Sequence, residues 1–136
     1  METDTSTKRV FLGGTCNDSR WRGDLISRLT IDHFNPVVED WTPECQAEEI
    51  KQRDECDFVL YVITPEMTGV YSIAEVVDDS NKRPEKTVFC YTEEASQQAF
   101  TLHQAKSLKA VAKMVEENGA TVCISLFDIA AVLNNK

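Results

Sequence analysis

Apolar residues in this chain gather into five short runs, and between the runs they recur at three- and four-residue spacing. The runs lie at 8–14, 34–38, 57–63, 86–91 and 121–124, each of a length suited to a strand. The third is nearly all apolar, as a strand covered on both faces should be. The helical spacing predicts helices at about 21–29, 43–55, 70–81, 97–118 and 126–133. Leu25, Ile26 and Leu29 share one face of the first, and Ser19 is its expected N-cap. Pro43 opens the second, with acids in its first turns. Gly119 suits the left-handed position just past the fourth.

Strand and helix alternate through short connections, which predicts a parallel sheet with helices on both faces. Five strands suggest an α/β, flavodoxin-like fold of order 2-1-3-4-5, its switch point between the first and third strands. Pro36 lacks the N–H that a central strand needs, so the second strand belongs at the edge, in agreement with that order. The chain reads as one domain over 1–136, with a polar lead-in at 1–7 expected to fray. Loops 13–18, 39–41 and 64–75 should then converge on one crevice at the carboxyl ends of the strands.

Composition narrows the partners. With 14 basic and 23 acidic residues the net charge is −9, which argues against a general nucleic-acid binder. A small anionic ligand stays compatible, with Arg20 and Arg22 near the first loop. No apolar run approaches the ~20 residues that span a bilayer. Residues 1–7 show no apolar signal core, so no membrane partner and a cytoplasmic location are expected. The cysteines Cys16, Cys45, Cys56, Cys90 and Cys123 form no C-x-x-C pair, and neither histidine sits at ligand spacing from one. No disulfide framework and no metal are expected; Cys90 and Cys123 read as buried thiols.

The candidate chemistry has two readings at each point. Gly13-Gly14 permits close backbone approach to a ligand or simply a tight turn, and neither G-x-G-x-x-G nor the P-loop pattern is present. Asp40 and Trp41 offer an acceptor and a flat ring for a base, or a ring covering the edge of the core. Glu48 with Lys51 and Glu49 with Arg53 fit ordinary helix pairs. Asp57 ends a helix or opens a strand. His33 and His103 stand outside any Ser-His-Asp or Cys-His arrangement. Glu75 lies in the first two turns of its helix, away from the apolar stripe of Val70, Ile73, Val76 and Val77. It is a solvated acid suited to a helix start, or a carboxylate reaching into the crevice as nucleophile or general base. Asp78 and Asp79 raise its pKa by like charge in one reading and face solvent in the other.

At these residues the sequence resembles the nucleoside 2-deoxyribosyltransferase-like family. The matching pieces are Val10-Phe-Leu-Gly-Gly-Thr15 with Trp21-Arg22, Phe34-Asn-Pro36 with Asp40-Trp41, Asp57, and Gly69-Val-Tyr-Ser-Ile-Ala-Glu75. Their order and spacing carry the likeness, which covers the chain from Val10 to about Tyr91. The resemblance implies a flavodoxin-like fold and cleavage of the N-glycosidic bond of a 2′-deoxynucleoside. It makes Glu75 the nucleophile that attacks the anomeric carbon. Glu49 falls where the family has an aspartate near the departing base, and Phe11 where some members carry a tyrosine. Gly69, with Thr68 beside it, replaces an aspartate of the transferases. Relatives acting on 5′-monophosphates have a small hydroxyl residue in that region.

Catalysis is thereby assigned to Glu75 and Glu49. Substrate contact is assigned to Phe11, Gly13, Gly14, Thr15, Asn17, Trp21, Asp40, Trp41, Thr68, Gly69 and Ser72. The expected activity is transfer or hydrolysis at the N-glycosidic bond of a 2′-deoxynucleoside or its 5′-monophosphate, with no cofactor. The alternatives are an NAD or ribonucleotide glycohydrolase, and a nucleotide-binding module without turnover. Family members commonly assemble, so a homo-oligomer is expected from the resemblance.

Overall fold

The computed structural model describes residues 7–16 and 19–135. Five strands form one parallel sheet of order β2-β1-β3-β4-β5. They are β1 (Arg9–Gly14), β2 (Asp32–Phe34), β3 (Phe58–Ile63), β4 (Thr87–Tyr91) and β5 (Thr121–Cys123). The helices are α1 (Trp21–Ile26), α2 (Pro43–Glu55), α3 (Tyr71–Lys82), α4 (Leu102–Glu117) and α5 (Leu126–Asn134). No helix among the described residues is long and apolar enough to cross a membrane.

The period-2 alternation of strand side chains divides the core in two. Val10, Leu12, Leu60, Val62, Val88 and Cys90 pack on one face with Trp21 and Leu25 of α1 and Ile129 and Leu133 of α5. Phe11, Val59, Tyr61, Ile63 and Phe89 pack on the other with Val76 of α3 and Leu108 and Val115 of α4. Right-handed crossovers require this partition: the step from β1 to β2 runs opposite to the later steps, so α1 falls on the other side. All six residues of β3 are buried, as its apolar run predicts. Asp57 opens that strand and ties it to β1: its N–H donates to the Arg9 carbonyl (2.9 Å), and the Arg9 N–H donates to its Oδ2 (2.8 Å).

Several boundaries differ from the sequence expectation. β2 occupies Asp32–Phe34 rather than 34–38. Its three residues pair with Arg9, Val10 and Phe11, and Asn35 then ends the ladder, its Oδ1 accepting from the Val37 N–H at 3.0 Å. Such an Asx turn diverts the backbone just before it could pair further. Pro36 does follow an edge strand, and Val37 and Val38 leave the sheet. α1 stops at Ile26 in a tight turn in which Arg28 and Leu29 N–H groups bond to Leu25 and Ile26. Ser19 is not its side-chain cap; its hydroxyl meets Thr64 Oγ1 at 3.0 Å. α4 begins at Leu102, where Thr101 and Gln104 form a reciprocal capping box. Gly119, at φ +108°, closes it with the two bonds of a Schellman motif, Gly119 N–H to Glu116 and Ala120 N–H to Val115.

Candidate functional site

The loops at the switch point enclose a cavity of about 510 Å³, within the ~300–1,000 Å³ typical of small-molecule sites. Its floor is the end of β1. Gly14 has φ +120°, and a Cβ there would lie 2.0 Å from the Val62 carbonyl oxygen, so no other residue fits without moving the strand. The turn is stitched to β3 by Thr15 N–H to Val62 O (2.9 Å) and by Thr64 N–H to Thr15 Oγ1 (2.9 Å).

The turn is held from beneath by α1. Trp21 is fully buried, and its indole N–H donates to the Thr15 carbonyl at 2.9 Å. Arg22 donates to the carbonyls of Leu12 (3.0 Å), Thr15 (2.6 Å) and Gly14 (3.3 Å). Burial lowers the pKa of this guanidinium, opposed by Cys16 and Glu49. Arg22 reaches the cavity wall, whereas Trp21 is not in the lining; its indole supports the floor.

The opposite walls come from the segment after β2 and from α2 and α3. Pro36, Val37 and Val38 line the cavity with Trp41, the consequence of β2 ending early. Asp40 is exposed and is not in the lining, which separates it from its neighbour's face. Trp41 and Tyr71 meet edge to face at 6.3 Å, each about half exposed. The Trp41 indole N–H donates to Glu49 Oε2. Phe11, Gly13, Gly14, Thr15, Thr68, Gly69 and Ser72 all line the same cavity with Glu49 and Glu75. Asn17 lies outside the described residues.

Glu75 is only 6% exposed, in contrast to a solvated helix-start acid. Burial pushes its pKa up to about 7, Arg53 opposes the rise, and Glu49, Asp79 and Asp78 add to it. Burial likewise raises Glu49, against the Trp41 hydrogen bond and the charges of Arg53 and Arg22. Val70, expected in the apolar stripe of α3, is instead the exposed residue preceding it.

Behind Glu75 lies a charged cluster that helix spacing alone misassigned. Arg53 turns away from the simple helix pair with Glu49 and reaches α3. Its Nε and Nη2 donate to the two oxygens of Asp79 (3.1 and 2.9 Å), and Nη2 also donates to Asp78 (2.9 Å). Nη1 faces Glu75 Oε2 at 3.6 Å. Asp79 is fully buried and accepts further from the Tyr61 hydroxyl (2.6 Å) and from Arg83. Burial, then Asp79 and Glu75, push the Tyr61 phenol far above its usual range, so it remains a donor.

Residues 7–95 match the protein family described as nucleoside 2-deoxyribosyltransferase like. That stretch covers more than half the chain, from β1 through β4, and includes every residue lining the cavity. No curated protein matches the chain.

Proposed function

The chain belongs to the nucleoside 2-deoxyribosyltransferase-like family, and from that premise we propose cleavage or transfer at the N-glycosidic bond of a 2′-deoxynucleoside or its 5′-monophosphate. Glu75 is the nucleophile and Glu49 the acid at the departing base. One observation carries this reading: two buried or half-buried carboxylates, from α2 and α3, line a single cavity together with aromatic, aliphatic and hydroxyl side chains.

In the first half-reaction an ionised Glu75 oxygen attacks C1′ of the sugar. The C1′–N bond breaks, its electron pair leaves on the base, and the base takes a proton from Glu49. The product is a glycosyl ester on Glu75. Water or an acceptor base then attacks C1′, the ester C–O bond breaks, and Glu49 accepts the proton released by the incoming group. The rim rings of Trp41 and Tyr71 offer faces and edges to the base.

Burial raises both carboxyls, and the reaction uses the microstate in which Glu75 is ionised and Glu49 protonated. Glu75 must lose its proton to attack, and its pKa stands at about 7. Glu49 must keep one, and its pKa is raised. Turnover should therefore rise with pH through about 7 and fall where the carboxylate pair has lost its last proton, the two limbs belonging to the pair.

The test is a panel of 2′-deoxynucleosides, their 5′-monophosphates, ribonucleotides and NAD, with and without an acceptor base, followed by chromatography of the free base. Exchange of bases means transfer; release that ignores the acceptor means hydrolysis. Glu75→Ala should lower turnover by at least about 1,000-fold, and turnover surviving in that variant would remove the mechanism. Release from NAD or ribonucleotides alone would move the substrate class, and binding without turnover across the panel would make the domain a nucleotide-binding module.

A further inference from the structure

Granting Glu75 as the nucleophile, on which this rests, we infer that Arg53 is its positioning residue. The guanidinium, locked from behind by Asp79, turns Nη1 toward Glu75 and favours its ionised form.

The geometry argues this in steps. Arg53 is 7% exposed, so its orientation is fixed by partners rather than by solvent. Nε and Nη2 are taken by the two oxygens of Asp79, a bidentate grip that sets the plane of the group. Asp79 is itself immobilised by Tyr61 and Arg83. With that side of the fork occupied, Nη1 is the end directed at Glu75. At 3.6 Å the contact is electrostatic rather than a hydrogen bond. It favours the anion while leaving the carboxylate's lone pairs for attack on carbon.

The surrounding charges make Arg53 decisive. Facing Glu75 are Glu49 and Arg53 from α2, Asp78 and Asp79 from its own helix, and Tyr61 from β3. Burial and the three acids oppose its ionisation, and Arg53 is the cation that works the other way. Arg83 and Lys82 bind Asp79 and Asp78, while Arg22 is committed to backbone carbonyls on the far wall. Glu49 accepts from Trp41, and that bond with the charges of Arg53 and Arg22 favours its anion as well. Arg53 acts on both acids through its charge, but its ion-pair contact is with Glu75.

Arg53→Gln and Arg53→Lys test this, each first checked for folding by circular dichroism and thermal melting. Rates of base release would be measured across pH with the substrate found for the parent protein. Arg53→Gln should lower kcat by about 100-fold at neutral pH with KM nearly unchanged, and shift the rising limb upward by about one unit. Arg53→Lys should return the limb toward its parental position while recovering only part of kcat, because an ammonium cannot grip Asp79 through two nitrogens. Independently of turnover, the ¹³C carboxyl resonance of Glu75 should titrate at higher pH in Arg53→Gln, or in Arg53→Lys by a smaller amount if the first variant does not fold. A folded variant with an unmoved Glu75 titration overturns the role of Arg53. Turnover undiminished in Glu75→Ala overturns the nucleophile itself, whatever Arg53 does.

Discussion

Two glycines of the cavity make opposite demands on substitution. Gly14→Ala drives a methyl group into the Val62 carbonyl at a positive φ, so the variant should lose roughly 3 kcal/mol or more in denaturant titration. At Gly69 an added Cβ meets nothing within 4 Å. Gly69→Asp should therefore melt close to the parent. Glu75 makes a third demand, set by pH. Its folded-state pKa is raised from 4.5 to about 7, so the unfolded chain ionises first as pH increases. The stabilising contribution is complete below 4.5 and lost as pH rises through about 7. Glu75→Gln should gain on the order of 1 kcal/mol over the parent near pH 8, with the gap closing near pH 4. Under the mechanism proposed above, this acid costs stability in the pH range where it would act.

At the scale of elements, the helix ends can be tested apart from the site. Thr101→Ala removes one half of the α4 capping box and should cost about 1 kcal/mol, with base release unchanged, since α4 contributes nothing to the cavity lining. Elements were legible in the sequence where burial left a periodic trace. β3, buried along its whole length, and α2, opened by Pro43 behind Thr42, read directly. β2 did not, because Asp32 and His33 are exposed and only Phe34 is half buried, while the apolar residues just beyond belong to the cavity wall. The site divides the same way. Alternating strands and helices implied the switch point and so the meeting of its loops. Arg53 escaped because helix spacing pairs it with Glu49, whereas its partners Asp78 and Asp79 lie on another helix, a relation no local pattern encodes. Trp21 stands inside the matching motif, and the bond it makes is to the loop, to the Thr15 carbonyl.

For the whole molecule, two tryptophans report on two different regions. Trp21 is fully buried and Trp41 is 52% exposed at the cavity rim. Acrylamide should quench one emission component only, and Trp41→Phe should abolish that quenching; a bound nucleoside should protect it in the parent. The interlock of Gly14 with Val62 bears on how such a protein changes over generations. The 13–15 turn is fastened to the central strand and to α1, so variation there risks the fold before it alters recognition. Pro36, Val37, Val38 and Trp41 lie outside the sheet and line the same cavity. A directed-evolution library meant to change base preference is best placed on that rim, where new chemistry can be sampled while the inherited framework is left intact.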